Sequence, residues 1–401
     1  MYLGGRDVAV IGAGIGGLAA ATAMAQRGAK VQVFERAEAL TEVGAGIQVA
    51  PNGVSVLEAL GLRDRAESVA AFPQELEIRE HTLGRRIAGA ALGNNVVTRY
   101  GRPYWQFHRA DLLKILLEGA REAGVTVNTG HCMESVTRRD DGHTISFANG
   151  ETADTDIVIA ADGVRSSIRK THFQGPEPRF TGHVAWRGLV PVDRLPDGIF
   201  PNGPCITMGP KRHVVTYPLR GGRLMNFVAV EERENWVEEG WMSRSDPDEL
   251  RAAFPNWAPS IRALFAAVEE TFLWGLFDHK PLPRWVNGRM ALLGDACHPM
   301  LPFLAQGATM ALEDAWVLAA ELDVARDPER GLTAYEARRE PRAARVQQAA
   351  AQNGRIYHLG PGVGAIAQFG LSTMSQISPD FLLSRFDWIY SADVVSAEAT
   401  G

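Results

Sequence analysis

Four glycines and an acidic residue near the start of the chain have the spacing of a dinucleotide-binding turn. Gly12, Gly14 and Gly17 complete the pattern G-x-G-x-x-G after a short apolar run, and Gly16 lies inside the pattern. Only glycine permits the tight turn, the close approach of a pyrophosphate and the close helix packing that such a turn needs. Glu35 follows Gly17 by 18 residues, where a carboxylate can accept the hydroxyls of an adenosine ribose. The spacing predicts a bound adenine dinucleotide, although a glycine turn of structural use alone has the same spelling.

A strand, a helix and a second strand must position this turn. The alanine-rich run Leu18–Ala25 predicts a helix that starts at the glycines, and bare amides at a helix start favour an anion such as a phosphate. The run Lys30–Phe34 predicts a strand that leads to Glu35 and its neighbour Arg36, and we assign both to the cofactor site. The stretch Val8–Ala25 has no charge, but its four glycines argue against a membrane span or a signal sequence.

Composition describes a globular protein and excludes several classes of partner. The chain has 401 residues, of which 46% are hydrophobic and 22% charged, and its net charge is −6. This length predicts two domains, and the acidic balance gives no reason to expect nucleic acid or an anionic membrane as a partner. Cys132, Cys205 and Cys297 are odd in number and lack a C-x-x-C pattern. We therefore expect a cytoplasmic protein without disulfides and without a metal site.

Two later strands also end in small acidic turns. Asp162 and Gly163 follow the apolar run Asp156–Ala161, and Asp295 follows the run Arg289–Gly294. In a doubly wound α/β fold, ligands collect at the carboxyl ends of the strands, so these two turns and the one at Glu35 predict a single cleft. Such a turn taken alone is more often only a turn. A cofactor stretched across a sheet, such as FAD, needs contacts of this kind from distant parts of the sequence.

The segment after Asp295 can lie along the flavin of such a cofactor. Pro302–Ala308 precedes a long helical pattern, Thr309–Leu322, so Gly307 and Ala308 stand at a helix start. The positive end of a helix dipole there would stabilise a reduced, anionic flavin. Arg109, near the start of another amphipathic helix, either reaches the cofactor's phosphates or makes an ion pair.

The fold class predicted from these segments is α/β, with an FAD-binding Rossmann-like domain interleaved with a β-sheet substrate domain and a helical C-terminal region. Alternating residues in Glu75–Arg86 and Val96–Trp105 predict strands, which we expect to share one sheet with the later β-rich run 181–230. The predicted limits are 1–74, 100–175 and 276–355 for the FAD-binding domain, 75–99 and 176–275 for the substrate domain, and 356–401 for the C-terminal segment.

Three smaller expectations concern two helices and the tail of the chain. Asn52 is placed to cap a helix over Gly53–Leu60. The arginine-rich face of a helix over Gly331–Gln352 is expected to be a solvated or ion-paired surface. The tail that follows has no pattern that indicates chemistry.

Three sequence fingerprints resemble a known family, the class A flavoprotein aromatic hydroxylases with the p-hydroxybenzoate hydroxylase fold. They are GAGIGG at 12–17, ADGVRS at 161–166 and LLGDACHPMLPFLAQGATMALEDA at 292–315, in this order. The resemblance covers most of the chain and is greatest to the branch with salicylate hydroxylase, 3-hydroxybenzoate 6-hydroxylase and 6-hydroxynicotinate 3-monooxygenase. HRADL at 108–112 and GAGIQ at 44–48 support it, and we assign Gln48 in the latter to the cofactor.

The resemblance implies a reaction and a set of cofactor contacts. It implies that Glu35, Arg109 and Asp295 hold FAD and that Asp162 serves both FAD and the nicotinamide co-substrate. NADH or NADPH would reduce FAD, O₂ would add to give a flavin C4a-hydroperoxide, and its distal oxygen would attack an electron-rich ring. A homodimer is compatible with the same resemblance. Two other classes stay open at this point, a nicotinamide-dependent dehydrogenase, which leaves the stretch 295–314 unexplained, and a non-catalytic FAD-binding protein.

The substrate expected from the sequence is a small hydroxylated aromatic acid of the salicylate or 3-hydroxybenzoate type. Candidates for its carboxylate are Arg187, Arg220 and Arg223, although each also reads as a surface arginine. Residues expected to line the substrate are Phe303, Pro302 and Tyr104. Relatives that act on a pyridine acid have histidines at the positions of Gln48 and Phe303, so this chain favours a benzenoid acid. An N-heteroaromatic acid such as 6-hydroxynicotinate is the alternative.

His213 and Tyr217 are the candidate catalytic residues. They lie four residues apart in the β-branched run Arg212–Tyr217, which places both on one face of a strand. Histidine can accept a phenolic proton near neutral pH, and Tyr217 would orient the ring or relay the proton. A histidine that only packs within a sheet is the simpler reading. The related pyridine hydroxylase has the same two residues at matching positions, which favours the catalytic role.

Overall fold

The computed structural model describes residues 2–40, 46–234, 243–378 and 380–397, which contain two large sheets, a three-stranded sheet (β8, β9 and β10), a two-stranded sheet (β3 and β6) and thirteen α-helices. The strands are β1 (Asp7–Ile11), β2 (Lys30–Phe34), β3 (Gly46–Val49), β4 (Glu75–Glu80), β5 (Arg86–Ala91), β6 (Trp105–His108), β7 (Thr126–Asn128), β8 (Met133–Arg138), β9 (His143–Phe147), β10 (Thr152–Thr155), β11 (Ile157–Ala160), β12 (Arg179–Pro191), β13 (Cys205–Gly209), β14 (Arg212–Leu219), β15 (Leu224–Glu232), β16 (Ser243–Ser245), β17 (Thr271–Asp278), β18 (Val286–Asn287) and β19 (Met290–Leu292). The helices are α1 (Ile15–Ala25), α2 (Pro51–Ala59), α3 (Arg63–Val69), α4 (Gly93–Tyr100), α5 (Arg109–Glu122), α6 (Ser167–His172), α7 (Pro247–Ala253), α8 (Pro259–Ala266), α9 (Gly307–Val324), α10 (Pro328–Tyr357), α11 (Pro361–Ile377), α12 (Phe381–Ser384) and α13 (Asp387–Tyr390).

The first sheet has six strands in the order β18-β19-β11-β1-β2-β7. Its strands run parallel except for the β18–β19 pair. Val10 and Val33 in its centre are fully buried, as is Leu18 of α1. A parallel sheet covered on both faces needs apolar strands of this kind. The α/β class expected from the sequence is therefore confirmed.

The second sheet has eight strands in the order β16-β17-β12-β15-β14-β13-β4-β5. All neighbours in it are antiparallel except β13 and β4. It joins β4 and β5 to strands that lie about a hundred residues later in the chain, as the alternating segments predict. The limits proposed for the domains stay a prediction.

The prediction of a strand over Val96–Trp105 is wrong. Helix α4 occupies the first half of this stretch, and Gly101, whose φ is +79°, caps its end. Val96 is buried and Tyr100 half-buried one helical turn later, a spacing that fits a helix and that alternation alone did not separate from a strand. Only Trp105 belongs to a strand, the first residue of β6.

Asn52 does not cap α2, contrary to expectation. The cap residue is Ala50, and Pro51 begins the helix, a position where proline's missing N–H costs nothing. The Asn52 side chain instead donates to the Glu313 carboxylate of α9 over 2.6 Å. Asn52 is buried, so it serves as a polar contact between two helices.

A buried ionic network joins α9 to α10. Arg339 donates to Asp314 over 2.7 Å and pairs with Glu313 at 2.7 Å, and all three side chains are at most 1% exposed. Arg342 also pairs with Glu313. The arginine face of this helix is therefore ion-paired, as one of the two expectations had it, but part of it lies in the interior.

Within the described residues, no helix is long and apolar enough to cross a membrane.

Candidate functional site

Three strands of the first sheet end at acidic residues on one edge of that sheet. β2, β11 and β19 all run in the direction of β1, so their carboxyl ends lie at the same edge. Glu35 follows β2 directly, Asp162 lies two residues past β11, and Asp295 lies three residues past β19. The structure thus brings the three acidic turns together where a ligand of a doubly wound sheet binds.

The glycine turn between β1 and α1 is shaped by close backbone contacts. Gly12 has a φ of +106°, and a Cβ atom on it would lie 2.4 Å from the Ala161 carbonyl oxygen. A Cβ atom on Gly17 would lie 2.0 Å from the Gly12 carbonyl oxygen, so neither position accepts a side chain. At Gly14, by contrast, the space that a Cβ would take has no protein atom within 4 Å. This open space beside the backbone fits a phosphate at the start of α1.

The Glu35 carboxylate is held beside this turn by two backbone amides. The amide of Ala13 donates to one carboxylate oxygen over 2.9 Å, and the amide of Ala37 donates to the other over 3.0 Å. These bonds fix the direction of the carboxylate at the end of β2. The next residue, Arg36, is exposed, and it does not line the cavity described below.

Asp162 and Asp295 approach the same edge from the later strands. One Asp162 oxygen accepts from the Ser167 amide over 3.0 Å, while the other, Oδ1, is buried without a hydrogen-bond partner in the described protein. The Asp295 carboxyl lines the cavity and is accessible from it, although protein atoms surround the group on its other sides. Burial raises the pKa of both carboxyls, and the charges of His298 and Arg109 act against this shift at Asp295. The Asp162 Oδ1 atom and the Asp295 carboxylate at the cavity wall are therefore available to accept hydrogen bonds from a ligand.

One cavity of about 400 Å³ runs along this edge. Gly14, Gly16 and Gly17 line it at one end, together with Arg109 and Asp295. Its other wall belongs to the second sheet and includes His213 and Tyr217; Gln48, Tyr104, Pro302, Phe303, Gly307 and Ala308 complete the predicted residues that line it. The structure therefore joins most of the predicted site residues in a single space.

The start of α9 faces this cavity. Gln306 is the cap residue and makes no side-chain hydrogen bond to the first turn, and that turn contains no acidic residue. Gly307 and Ala308, the first residues of the helix, line the cavity. An 18-residue helix with an uncapped start directs partial positive charge at whatever occupies this space, as expected for the flavin end of the cofactor.

His213 and Tyr217 lie on the same face of β14 and both line the cavity, as their spacing predicts. His213 is 1% exposed and Tyr217 is 4% exposed. The ring of Phe303 lies 5.3 Å from that of His213 in an edge-on arrangement. Burial is the main cause that lowers the pKa of His213 and raises the pKa of Tyr217. Both side chains are therefore neutral near pH 7, with one able to accept and the other able to donate a proton.

Gln48 lies between two tyrosines of the cavity wall. The Tyr104 hydroxyl donates to the Gln48 carbonyl oxygen over 2.5 Å, and a hydrogen bond with Gln48 also acts on the pKa of Tyr217. Gly46, in the same strand, lies so close to Tyr217 that a Cβ atom would be 2.4 Å from its ring. Position 46 therefore needs glycine, because any side chain there would overlap the Tyr217 ring. The other glycine of this segment, Gly44, lies outside the described residues.

The arginines expected at the carboxylate do not line the cavity. Arg220 makes two hydrogen bonds of 2.8 and 2.9 Å to Asp111, and Arg223 donates to the Arg220 carbonyl. Arg187 lies over the ring of Trp274 at 4.7 Å, although its charge still acts on the pKa of Tyr217. Only Arg187 is therefore near the predicted catalytic pair.

Several cavity residues come from the C-terminal part of the chain, where the sequence showed no pattern. Tyr357 ends α10, Phe386 directly precedes α13 and Tyr390 ends α13; all three line the cavity. His358 follows Tyr357 and accepts or donates a hydrogen bond of 2.7 Å with His213. The adjacent aromatic and titratable residues at 357–358 were the available signal, but no spacing rule connects them to β14.

The comparisons with known proteins identify the family. Residues 6–350 match the family described as FAD binding domain. The chain is 40% identical over 356 residues to the 3-amino-4-hydroxybenzoate 2-monooxygenase of Streptomyces platensis, which covers 88% of this chain and 89% of that protein. It is 37% identical over 352 residues to the 6-hydroxynicotinate 3-monooxygenase of Pseudomonas fluorescens, covering 86% and 90%. A solved salicylate hydroxylase in a substrate complex superposes with a TM-score of 0.83 at 29% identity, covering 99% of this chain and 97% of that one.

These matches decide between the three classes of protein that the sequence left open. The family match includes the stretch 295–314 that an ordinary Rossmann dehydrogenase leaves unexplained, and the relatives are named as monooxygenases. The glycine turn, the open space at Gly14 and the partnerless Asp162 oxygen fit the cofactor that the family binds. The chain belongs to the FAD binding domain family, and it is an FAD-dependent aromatic monooxygenase of the salicylate hydroxylase type.

Proposed function

We propose that the protein hydroxylates a small hydroxylated aromatic acid of the salicylate or 3-hydroxybenzoate type, with NADH or NADPH as the electron donor and O₂ as the oxidant. The observation that supports this most is the single cavity, which runs from the glycine turn and the start of α9 to the buried pair His213 and Tyr217. A cofactor at one end and an acid–base pair at the other are what such a reaction needs. A homodimer and a cytoplasmic location stay predictions.

FAD would be held by residues that follow strands on both sides of β1, all at the same edge of the first sheet. Glu35 is placed to accept the ribose hydroxyls, Gly14 and the start of α1 to receive the pyrophosphate, and Asp295 to bind the region between pyrophosphate and flavin. Arg109 lines the cavity near Asp295. When bound, FAD supplies the transfer of electrons from the nicotinamide to O₂ and so the oxygen that enters the ring.

Asp295→Ala tests this assignment. We expect the dissociation constant for FAD, measured by fluorescence titration, to rise about 10- to 150-fold, because a hydrogen bond to a charged group contributes about 1.5 to 3 kcal/mol. Asp140→Ala is the matched control, since Asp140 is an exposed carboxylate remote from the cavity lining, and it should leave the affinity unchanged. Unaltered FAD binding by Asp295→Ala would show that this carboxylate does not hold the cofactor.

The role we propose for His213 is that of general base on the phenolic hydroxyl, with Tyr217 orienting the ring. Removing the phenolic proton pushes electron density into the ring and favours attack on the activated oxygen. Burial keeps His213 neutral, and only the neutral imidazole can accept a proton. Phe303 packs against the imidazole edge and restricts its orientation.

The residues expected around the aromatic ring of the substrate favour a benzenoid acid over a pyridine acid. Gln48 is engaged with both Tyr104 and Tyr217, and Phe303 offers no hydrogen bond, so these two positions offer little to a ring nitrogen. Hydroxyl and amide groups of this wall are the donors we propose for the carboxylate, with Arg187 acting over a longer distance. This proposal leaves out Arg220 and Arg223, which are engaged elsewhere.

A substrate screen tests this preference. Salicylate, 3-hydroxybenzoate, 3-amino-4-hydroxybenzoate and 6-hydroxynicotinate are compared for the amount of hydroxylated product formed for each NADH oxidised, with NADH oxidation in the absence of any acid as the baseline. We expect at least one benzenoid acid to give coupled product and the pyridine acid to give less. Coupled turnover of the pyridine acid alone would contradict the ranking.

A further inference from the structure

A chain of three hydrogen-bonded side chains leads from the cavity to the protein surface. His213 Nδ1 lies 2.7 Å from His358 Nε2, and His358 Nδ1 lies 3.0 Å from the Glu232 carboxylate. His213 is 1% exposed and His358 is 7% exposed, whereas the Glu232 side chain is 36% exposed. The chain therefore has one end in the cavity and the other end in water.

Three elements hold these side chains in line. His213 is in β14, Glu232 is the last residue of β15, and His358 directly follows α10. The backbone of Lys211 ties these elements together, because its amide donates to the His358 carbonyl and its carbonyl accepts from the Glu232 amide. Phe303 packs against both imidazoles, so their rings have little freedom to turn.

The carboxylate at the outer end fixes the position of every proton in the chain. An ionised Glu232 only accepts hydrogen bonds, so His358 Nδ1 must carry the proton between them. In a neutral His358, Nε2 is then an acceptor, and His213 must donate to it from Nδ1. A neutral His213 so arranged has its lone pair on Nε2, the nitrogen left for the substrate, which is the tautomer that a general base requires.

The surrounding titratable groups leave this arrangement intact. Burial lowers the pKa of His213 well below its usual range and that of His358 to about 4, so both are neutral near pH 7. His183 of β12 has its ring centre 5.1 Å from that of His358, but its Nδ1 lies 3.0 Å from the Thr181 carbonyl oxygen. Tyr357 also faces His213, and burial raises its pKa to about 12. Burial lowers the pKa of His183, so neither of these two groups carries a charge near pH 7 that would oppose the proton order.

A metal ion is a poorer occupant of this cluster. His183, Glu232 and His358 have ligand atoms close enough to share a cation. However, both ring nitrogens of His358 are already engaged, one by His213 and one by Glu232. A bound cation would have to break the bond to Glu232 and would leave His213 without a fixed tautomer.

We propose that His358 and Glu232 form a relay that carries the phenolic proton from His213 to solvent, an inference that rests on the proposed role of His213 as the base. As the phenolic O–H bond breaks, its proton joins His213 Nε2. The proton on His213 Nδ1 moves to His358 Nε2, the proton on His358 Nδ1 moves to the Glu232 carboxylate, and Glu232 releases it to water. No co-reactant is consumed, and the substrate is left as a phenolate.

The relay solves an energetic difficulty of a buried base. An imidazolium at His213 would be a cation in a site that is almost fully excluded from water, and such an isolated charge is costly. Passing the proton on as it arrives keeps both histidines neutral. Only Glu232, which water reaches, changes its charge.

The experiment compares Glu232→Gln and His358→Gln with the rescue variant Glu232→Asp and the control His183→Gln, all as FAD-loaded proteins with the best aromatic acid from the screen. Glutamine at 232 is neutral and can donate as well as accept, so the proton order is no longer fixed. We expect both relay variants to keep FAD and its reduction by NADH and to lose hydroxylation about tenfold or more at neutral pH. The loss should shrink as the pH approaches about 10, where a phenol ionises without help.

Each result decides between the relay and the base. Recovery in Glu232→Asp and near-parent activity in His183→Gln, together with the pH-dependent loss, would support the relay. If His213→Gln loses hydroxylation while Glu232→Gln and His358→Gln keep it, the base stands and the relay is refuted. Should His213→Gln itself hydroxylate like the parent, the proposed base and the relay both fail.

Discussion

His213→Ala should keep FAD and its reduction by NADH, while the rate of hydroxylation falls by about 10²- to 10⁴-fold, the usual contribution of a general base. The reducing equivalents should appear as hydrogen peroxide, because the reduced cofactor still meets O₂. His213 lines the substrate end of the cavity and not the glycine turn, so losing its ring removes the base and leaves the cofactor contacts in place. Product and peroxide are measured together for each NADH oxidised.

The rate of hydroxylation should depend on pH in opposite directions in the parent protein and in His213→Ala. Burial lowers the pKa of His213, so the parent keeps a neutral base from about pH 6 to 9 and loses it only as the pH falls through that lowered pKa. The variant should instead gain activity with rising pH as the phenol ionises on its own. Hydroxylation by His213→Ala at the parent rate throughout this range would place the base elsewhere and leave His213 with a packing role.

Arg339→Met should lower the free energy of unfolding by about 3 kcal/mol, a typical cost of removing one partner from a buried ion pair. Arg339 is 1% exposed and lies between Glu313 and Asp314, which are both fully buried. Methionine keeps much of the volume but leaves these carboxylates with fewer partners. Denaturant unfolding followed by circular dichroism, at saturating FAD, gives the difference in stability.

A neighbouring arginine provides the control for this variant. Arg338 pairs with Glu321 on the same two helices, but the two side chains are 30% and 21% exposed. Arg338→Met should therefore cost at most about 1 kcal/mol. Equal stability of the two variants would contradict the account of the buried network.

Acid should weaken the same network in a predictable direction. Its surroundings lower the pKa of Asp314 to about 2 against a usual value of 3.8, with the charges of His298 and Arg339 opposing the effect of burial. A lowered carboxyl pKa contributes stability that is complete above the usual value and is lost as the pH falls through the lowered one. This contribution is therefore lost between about pH 4 and 2.

The parts of the fold that the sequence predicted have local causes. The turn at Gly12 needs a left-handed backbone and admits no side chain, so its residue type is fixed by geometry. The pairing of His213 with Tyr217 on one face follows from strand alternation. The helix at 93–100 was mistaken for a strand because Val96 and Tyr100 satisfy both periodicities over so short a stretch.

The parts that could not be predicted depend on contacts between distant segments. Asn52 looked like a helix cap, and only the approach of α9 turns it towards Glu313. Arg220 looked free to bind a carboxylate, yet Asp111, more than a hundred residues away, binds it first. His358 and His213 are 145 residues apart in the sequence, yet their side chains form a hydrogen bond. Short-range sequence patterns contain no information about such long-range contacts.

Isotope labelling shows whether the new hydroxyl group takes its oxygen from O₂, as the proposed reaction requires. The FAD-loaded protein is supplied with NADH, a benzenoid hydroxy acid from the screen and ¹⁸O₂ in ordinary water, and the product is analysed by mass spectrometry. We expect one ¹⁸O atom in each new hydroxyl group, with product formed in proportion to NADH oxidised. Stimulated NADH oxidation that yields only labelled hydrogen peroxide with every aromatic acid, and no labelled product, would contradict this expectation.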